Sequence, residues 1–167
     1  MDSSEKTTSG SESSEQDMSI DDVNTWSTLV DAQHYETLGF LQMCIERRFH
    51  QAVGQKFQEV TGLKATQYWI HSDVGGSPKM EAQRLAPDYC RDQGVKIMGW
   101  SAHGTGCGGF GKETPDSVIL QALISTLHKK PDEYPGITHY GFFAVEGDKP
   151  EDVKIWYRKI DPKPESK

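Results

Sequence analysis

Apolar residues recur along this chain in blocks whose spacing alternates between strand-like runs and helix-like faces. The run 38–45 is nearly continuous in apolar residues and predicts a buried strand. Phe49, Val53, Phe57 and Val60 then fall on one helical face, which Gly62 closes. Residues 65–71 predict a second strand, and the loop Gly75-Gly76-Ser77-Pro78 leads into a helix through Leu85, Tyr89 and Cys90. Pro87 delays or interrupts that helix, and Gly94 ends it. Residues 95–102 predict a third strand. Thr114-Pro115-Asp116 is a strong helix start, with Val118, Ile119, Ala122, Leu123 and Leu127 as the buried face and Pro131 as the stop. Two closing strands, 137–145 and 153–160, are joined through Gly147-Asp148-Lys149-Pro150, which predicts a hairpin.

Strands alternating with helices predict an α/β fold: a central, mainly parallel sheet flanked by helices on both faces, with an antiparallel C-terminal hairpin at one edge. Ahead of it, residues 1–18 are dominated by Ser, Thr and acidic side chains, and predict a disordered tail. Ile20, Val23, Trp26 and Val30 return at helical spacing, with Ser19 placed as an N-cap and Asp21 and Asp22 in the first turn. This amphipathic helix would pack on its own core or on another subunit. The expected organisation is a tail 1–18, one α/β domain 19–161 and a short C-terminal tail 162–167.

Composition narrows the function classes. At 167 residues and 35% hydrophobic content, the chain suits one domain with a real core. A net charge of -7 argues against nucleic acid or an anionic membrane as partner, since phosphate binding needs clustered Lys and Arg, and it fits a small-molecule substrate better. Three cysteines without a disulfide framework, and an N-terminus lacking the basic and apolar regions of a signal peptide, predict a reducing, cytoplasmic setting. No apolar run approaches the ~20 residues that span a bilayer.

Candidate chemistry sits at strand ends. Cys44 closes the first apolar run, and His103-Gly104-Thr105-Gly106-Cys107-Gly108-Gly109 follows the third. Two thiols and an imidazole form a soft three-ligand set suited to a zinc ion that keeps one position open for water, a catalytic pattern more than a structural one. In open parallel sheets ligands bind outside the carboxyl ends of strands, so adjacency of the first and third strands would bring the three ligands together. Glu46 and Arg48 read either as an ordinary ion pair or as site residues. Cys90 reads as a small buried residue. His71-Ser72-Asp73 is read as a loop with an Asx turn, or as an approach of Asp73 to the metal cleft. A competing motif shares the loop: Gly106, Gly111 and Lys112 match the glycine and lysine spacing of a phosphate-binding P-loop, but Glu113 stands where magnesium binding needs Ser or Thr.

Together these motifs resemble the β-class carbonic anhydrase family. The resemblance rests on Cys44, Glu46 and Arg48 as Cys-x-acid-x-Arg, and on His103 followed by Cys107-Gly108-Gly109. It extends through Trp69-Ile70-His71-Ser72-Asp73-Val74-Gly75-Gly76, Gln93-Gly94-Val95-Lys96-Ile97 and His139-Tyr140-Gly141-Phe142-Phe143, covering roughly 38–160. Two positions depart from the family pattern: Glu46 stands for the usual Asp, and one extra residue separates His103 from Cys107. The resemblance implies Zn2+ held by Cys44, His103 and Cys107, hydration of carbon dioxide to bicarbonate by a metal-bound hydroxide, and Glu46, held by Arg48, orienting that hydroxide. It implies a proton acceptor as well, for which His34, His50, His71 and His139 are candidates. It implies a homodimer or higher homo-oligomer, for which the Trp26 helix and the strand 137–145 are suitable parts. Carbonyl sulfide or carbon disulfide as substrate, an inactive zinc-binding module of the same fold and, behind these, a P-loop-like nucleotide binder are the alternatives.

Overall fold

The computed structural model describes residues 36–149 and 151–166. The tail 1–18, the helix expected around Trp26, and His34 lie outside the described residues. β1 (Gly39–Cys44) is buried along its whole length, as a strand with neighbours on both sides and helices on both faces must be. It lies second in a five-stranded sheet whose order is β2-β1-β3-β4-β5, with β2 (Tyr68–Asp73), β3 (Ile97–His103), β4 (Thr138–Glu146) and β5 (Val153–Ile160). The first four strands are parallel, and β5 pairs antiparallel with β4 as the edge.

Alternation within β1 sends its side chains to two separate cores. Leu41 and Met43 meet Phe49, Val53 and Phe57 of α1 (Arg47–Thr61), together with Tyr140, Phe142 and Ala144 of β4. Phe40 faces the other side with Met98, Trp100 and Ala102 of β3. That side is covered by Cys90 of α2 (Leu85–Asp92) and by Ile119, Leu123 and Leu127 of α3 (Asp116–Glu133). The expected layers, a mainly parallel sheet flanked by helices with an antiparallel C-terminal pair, are those observed. Gly62 caps α1 as expected, taking φ 74°, a left-handed angle that glycine adopts without a Cβ penalty.

Several boundaries move. β1 stops at Cys44, releasing Ile45 to an exposed position. The second strand begins at Tyr68 because Ala65–Gln67 forms a 3₁₀ turn, tied by the Gln67 side-chain carbonyl accepting from the Lys64 backbone N–H at 3.0 Å. β3 runs on to His103, so the imidazole belongs to the strand end itself. Pro131 does not stop α3. It lies in the last turn, so the one helix bond its missing N–H removes is close to the helix end, and the Lys130–Glu133 ion pair at 2.8 Å and the Tyr134 N–H to Lys130 carbonyl bond carry the helix past it. Val118, expected on the buried face, is exposed, and Thr126, Lys130 and Pro131 complete that face instead. Within the C-terminal tail 162–167, the Lys163 carbonyl accepts from the Gly136 N–H at 2.8 Å and the Lys163 side chain pairs with Asp132. Among the described residues no helix is long and apolar enough to cross a membrane.

The chain leaves β1 in one direction to reach β2 and returns past β1 to lay down β3 on its other side. This reversal opens a crevice at the carboxyl ends of β1 and β3, the position where open α/β sheets receive ligands.

Candidate metal centre

β1 delivers Cys44 to the crevice, β3 delivers His103, and the glycine-rich loop after β3 turns Cys107 back toward both. All three residues are buried, and their ligand atoms lie within 4.8 Å of one another. A tetrahedral zinc site with bonds of ~2.0–2.3 Å needs ligand separations of roughly 3.6–3.8 Å, so about an ångström of side-chain rotation closes this set on one ion.

The imidazole is oriented for that purpose. His103 Nδ1 lies 2.7 Å from the Gly104 carbonyl oxygen, which only accepts, so Nδ1 carries the proton. Nε2 is left as a bare lone pair, and it is buried without a hydrogen-bond partner among the described residues. A metal ion would supply such a nitrogen with a partner, and backbone fixing of the opposite nitrogen is the usual support of a histidine ligand. Phe49 stacks on the ring at 4.6 Å between centroids and holds its plane.

The thiols are equally prepared. Cys44 is lowered from its ordinary value of 9.0 to about 4, first by a hydrogen bond from Cys107, against the cost of burial, and further by His103 and the backbone N–H groups of Glu46 and Gly75. Cys107 is pushed upward, because its proton is shared with Cys44 and because it is buried; the Gly109 and Phe110 backbone N–H groups act in the opposite sense. The pair therefore holds one thiolate and one thiol, and a soft cation displaces the remaining proton. Burial opposes charge on His103, but the neighbouring Cys44 and the Gly104 carbonyl outweigh it and raise its pKa. Two cysteine sulfurs and one imidazole, buried and converging, fit zinc by donor chemistry.

Glu46 and Arg48 stand together at the rim. Glu46 is the N-cap of α1, its Oε1 accepting from the Arg48 backbone N–H at 3.2 Å and from Arg48 Nε at 3.2 Å. The Arg48 guanidinium holds the Glu46 carboxyl below the usual carboxylate range. Arg48 reaches further, donating from Nη1 to Glu146 at 2.6 Å and from Nη2 to the Thr105 carbonyl at 3.1 Å.

Thr105 is a support the sequence concealed. It takes φ 53°, an uncommon angle for a β-branched residue, between His103 and Cys107. Three elements fix it there: Asp116 of α3 accepts from its N–H at 2.7 Å, Arg48 binds its carbonyl, and the Glu146 N–H donates to its hydroxyl at 3.1 Å. Asp116 reads as a helix-start residue in the sequence, and nothing in the sequence links Glu146 to the loop. A second support is the close approach of two glycine loops. A Cβ on Gly109 would come within 2.6 Å of the Gly75 nitrogen, so the loops carrying the amides that face Cys107 and Cys44 touch backbone to backbone.

Other candidates stand apart. Asp73 pairs in register with Cys44, yet its carboxylate accepts from the Val74 N–H and from Gln83, forming the Asx-type local bond. His71 is hydrogen-bonded to Gln42 at 3.2 Å. His139 is fully buried, accepting from Trp100 Nε1 and donating to the Tyr134 carbonyl, so it has no free nitrogen with which to carry protons. His50 lines a small cleft together with Met43, Cys44, Phe49, Val53 and His103. Cys90 is a buried thiol, raised to about 11 by burial, as expected of a packing residue. The P-loop reading loses its geometry: α3 starts at Asp116, four positions beyond Lys112, and the loop amides of Gly109 and Phe110 face the Cys107 sulfur. No family model, curated protein or solved structure matches this chain.

Proposed function

We propose that Cys44, His103 and Cys107 hold a zinc ion and that this centre reversibly hydrates carbon dioxide to bicarbonate. The observation that carries the reading is the buried, unpartnered Nε2 of His103 facing two buried thiols at the mouth of the β1–β3 crevice. Zinc bound by such a set supplies an open coordination position and lowers the pKa of a water there toward ~7.

The protein's own residues supply the rest. Met43, Phe49 and Val53 give the adjoining cleft an apolar wall. Glu46, kept ionised by Arg48, offers an acceptor at the rim that orients the reacting water by hydrogen bonding. Arg48 also ties that carboxylate to the ligand-bearing loop through Thr105. The motif resemblance to β-class carbonic anhydrases supports the same chemistry. The sulfur analogues of carbon dioxide share its linear shape and belong to the same substrate class.

One observation favours a second reading. The Glu46 carboxylate is already engaged as helix cap and as Arg48's partner, an arrangement that also suits a zinc-binding module without turnover. Elemental analysis and stopped-flow carbon dioxide hydration on one sample separate the two. We expect about one zinc per chain and zinc-dependent hydration. Zinc without hydration selects the module, and a chain that takes up no zinc removes both.

A further inference from the structure

We propose that the groove between α3 and the end of β5 binds a medium-chain fatty carboxylate, with Arg158 as the anchor of its head group. None of the residues lining this groove belongs to the candidate metal centre, so the proposal stands or falls independently of the metal reading.

The floor of the groove is apolar. Ile124, Leu127 and Pro131 recur at helical spacing along α3, and Ile160 of β5 lines the same groove. Its depth comes from a glycine in β4. A Cβ on Gly141 would collide with the Leu127 side chain, so the bare backbone there lets Leu127 settle on the sheet. Gly141 pairs in register with Arg158, and cross-strand partners share a face of the sheet, so Arg158 stands beside Leu127 on the α3 side. The end wall is fixed as well, since the Lys163 carbonyl accepts from the Gly136 N–H at 2.8 Å and Lys163 Nζ pairs with Asp132 at 2.7 Å. The groove measures about 500 Å³, inside the ~300–1,000 Å³ range of small-molecule sites. From Ile124 to Pro131 the helix rises about 10 Å, the reach of an extended alkyl chain of roughly eight to ten carbons.

Charge decides what such a chain must carry at its end. The molecule is acidic, with a net charge of -7, yet Arg158, Lys159, Lys163 and His128 line this groove against Asp161. Lys163 is already engaged by Asp132. The exposed Arg158 guanidinium has no hydrogen bond or ion pair among the described residues. Its planar fork matches the two oxygens of a carboxylate. A small anion would leave the apolar floor unused, and a neutral lipid would leave the cation unused; an anion with an alkyl tail engages both.

The test is calorimetric titration of the full chain with decanoate, kept below its micelle concentration. We expect about one site per chain, affinity at least ~10-fold weaker in R158Q, and partial recovery in R158K, because the head group is held by charge-assisted hydrogen bonds. Decanol has the tail without the charge, so it should bind more weakly than decanoate and equally to wild type and R158Q. Acetate should give no measurable binding. In methyl NMR of the wild type, decanoate should shift the Ile124, Leu127 and Ile160 signals, which places the tail on the floor without recourse to any variant. No decanoate binding, several equivalent sites per chain, or equal decanoate affinity in R158Q overturns the site. Methyl shifts confined to other parts of the molecule overturn it too. Sedimentation showing that ligand-free chains associate and that R158Q separates them makes a second copy the occupant, and equally overturns the proposal.

Discussion

The Nδ1 bond of His103 to the Gly104 carbonyl decides which imidazole nitrogen faces the thiols, and with it the chemistry the three side chains can perform. A neutral histidine owns one donor and one acceptor, so once a carbonyl has taken the donor the other nitrogen has only a lone pair to offer. Beside Cys44, lowered to about 4, and Cys107, which shares its proton with it, that lone pair completes a three-point soft site. Such a site binds the folded chain and not the unfolded one, so metal affinity becomes folding stability. Zinc at a hundredfold excess over its dissociation constant adds about 2.7 kcal/mol, or roughly 10 °C in Tm for a domain of this size. Cys107→Ser replaces a thiol with a hydroxyl that stays protonated at neutral pH. Its zinc content should fall well below one per chain, and the zinc-dependent rise in Tm should disappear in differential scanning calorimetry. A variant that keeps the full rise would remove Cys107 from the ligand set.

At the scale of elements, the candidate ligand positions were legible in the sequence because each one ends a strong pattern. Cys44 closes an apolar run, and His103 and Cys107 bracket a glycine-rich turn, so adjacency of β1 and β3 was enough to bring them together. The supports were not legible, because they come from residues distant in sequence. Arg48 reaches Glu146 at the end of β4, Asp116 reaches back to Thr105, and Gly75 meets Gly109 through backbone alone. A contact made by a missing side chain leaves no periodicity to read. Pro131 was misleading for the opposite reason: a breaker in the last turn of a helix costs at most the final few bonds, and its ring is buried against the core. The loop contact gives a sharp expectation. Gly109→Ala places a methyl within 2.6 Å of the Gly75 nitrogen, where neither backbone can yield without moving a ligand loop. Overpacking of this kind costs roughly 1–3 kcal/mol. Chelator competition should show weaker zinc binding in this variant than in Gly108→Ala, whose added methyl meets no atom within 4 Å. Equal affinity in the two would show that the loop approach does not hold the centre.

For the whole molecule, the sheet separates two tasks onto its two faces. One face, under α1, carries Phe49, His50 and the cleft, while the other, under α2 and α3, carries a sealed aromatic cluster of Trp100, Tyr134 and His139. His139 belongs wholly to the second task. Its Nδ1 accepts from Trp100 Nε1 at 3.1 Å, and its Nε2 donates to the Tyr134 carbonyl at 3.0 Å, a pairing that requires the neutral ring. Burial, with Lys130 nearby, lowers its pKa from 6.5 to about 4, although the Tyr134 carbonyl works against the shift. The sign of the stability effect follows. Below 6.5 the unfolded chain takes up a proton that the folded chain refuses, so the contribution of the neutral ring is complete above that pH and is lost as pH falls toward and through about 4. The shift corresponds to about 3 kcal/mol at its full extent. His139→Gln keeps a donor and an acceptor but cannot titrate. Urea unfolding of the metal-free chain at several pH values between 4 and 6.5 should therefore show a shallower loss of stability in the variant than in the wild type. Parallel curves for the two would show that His139 is protonated as easily in the fold as outside it, and that the core around Trp100 is open to water.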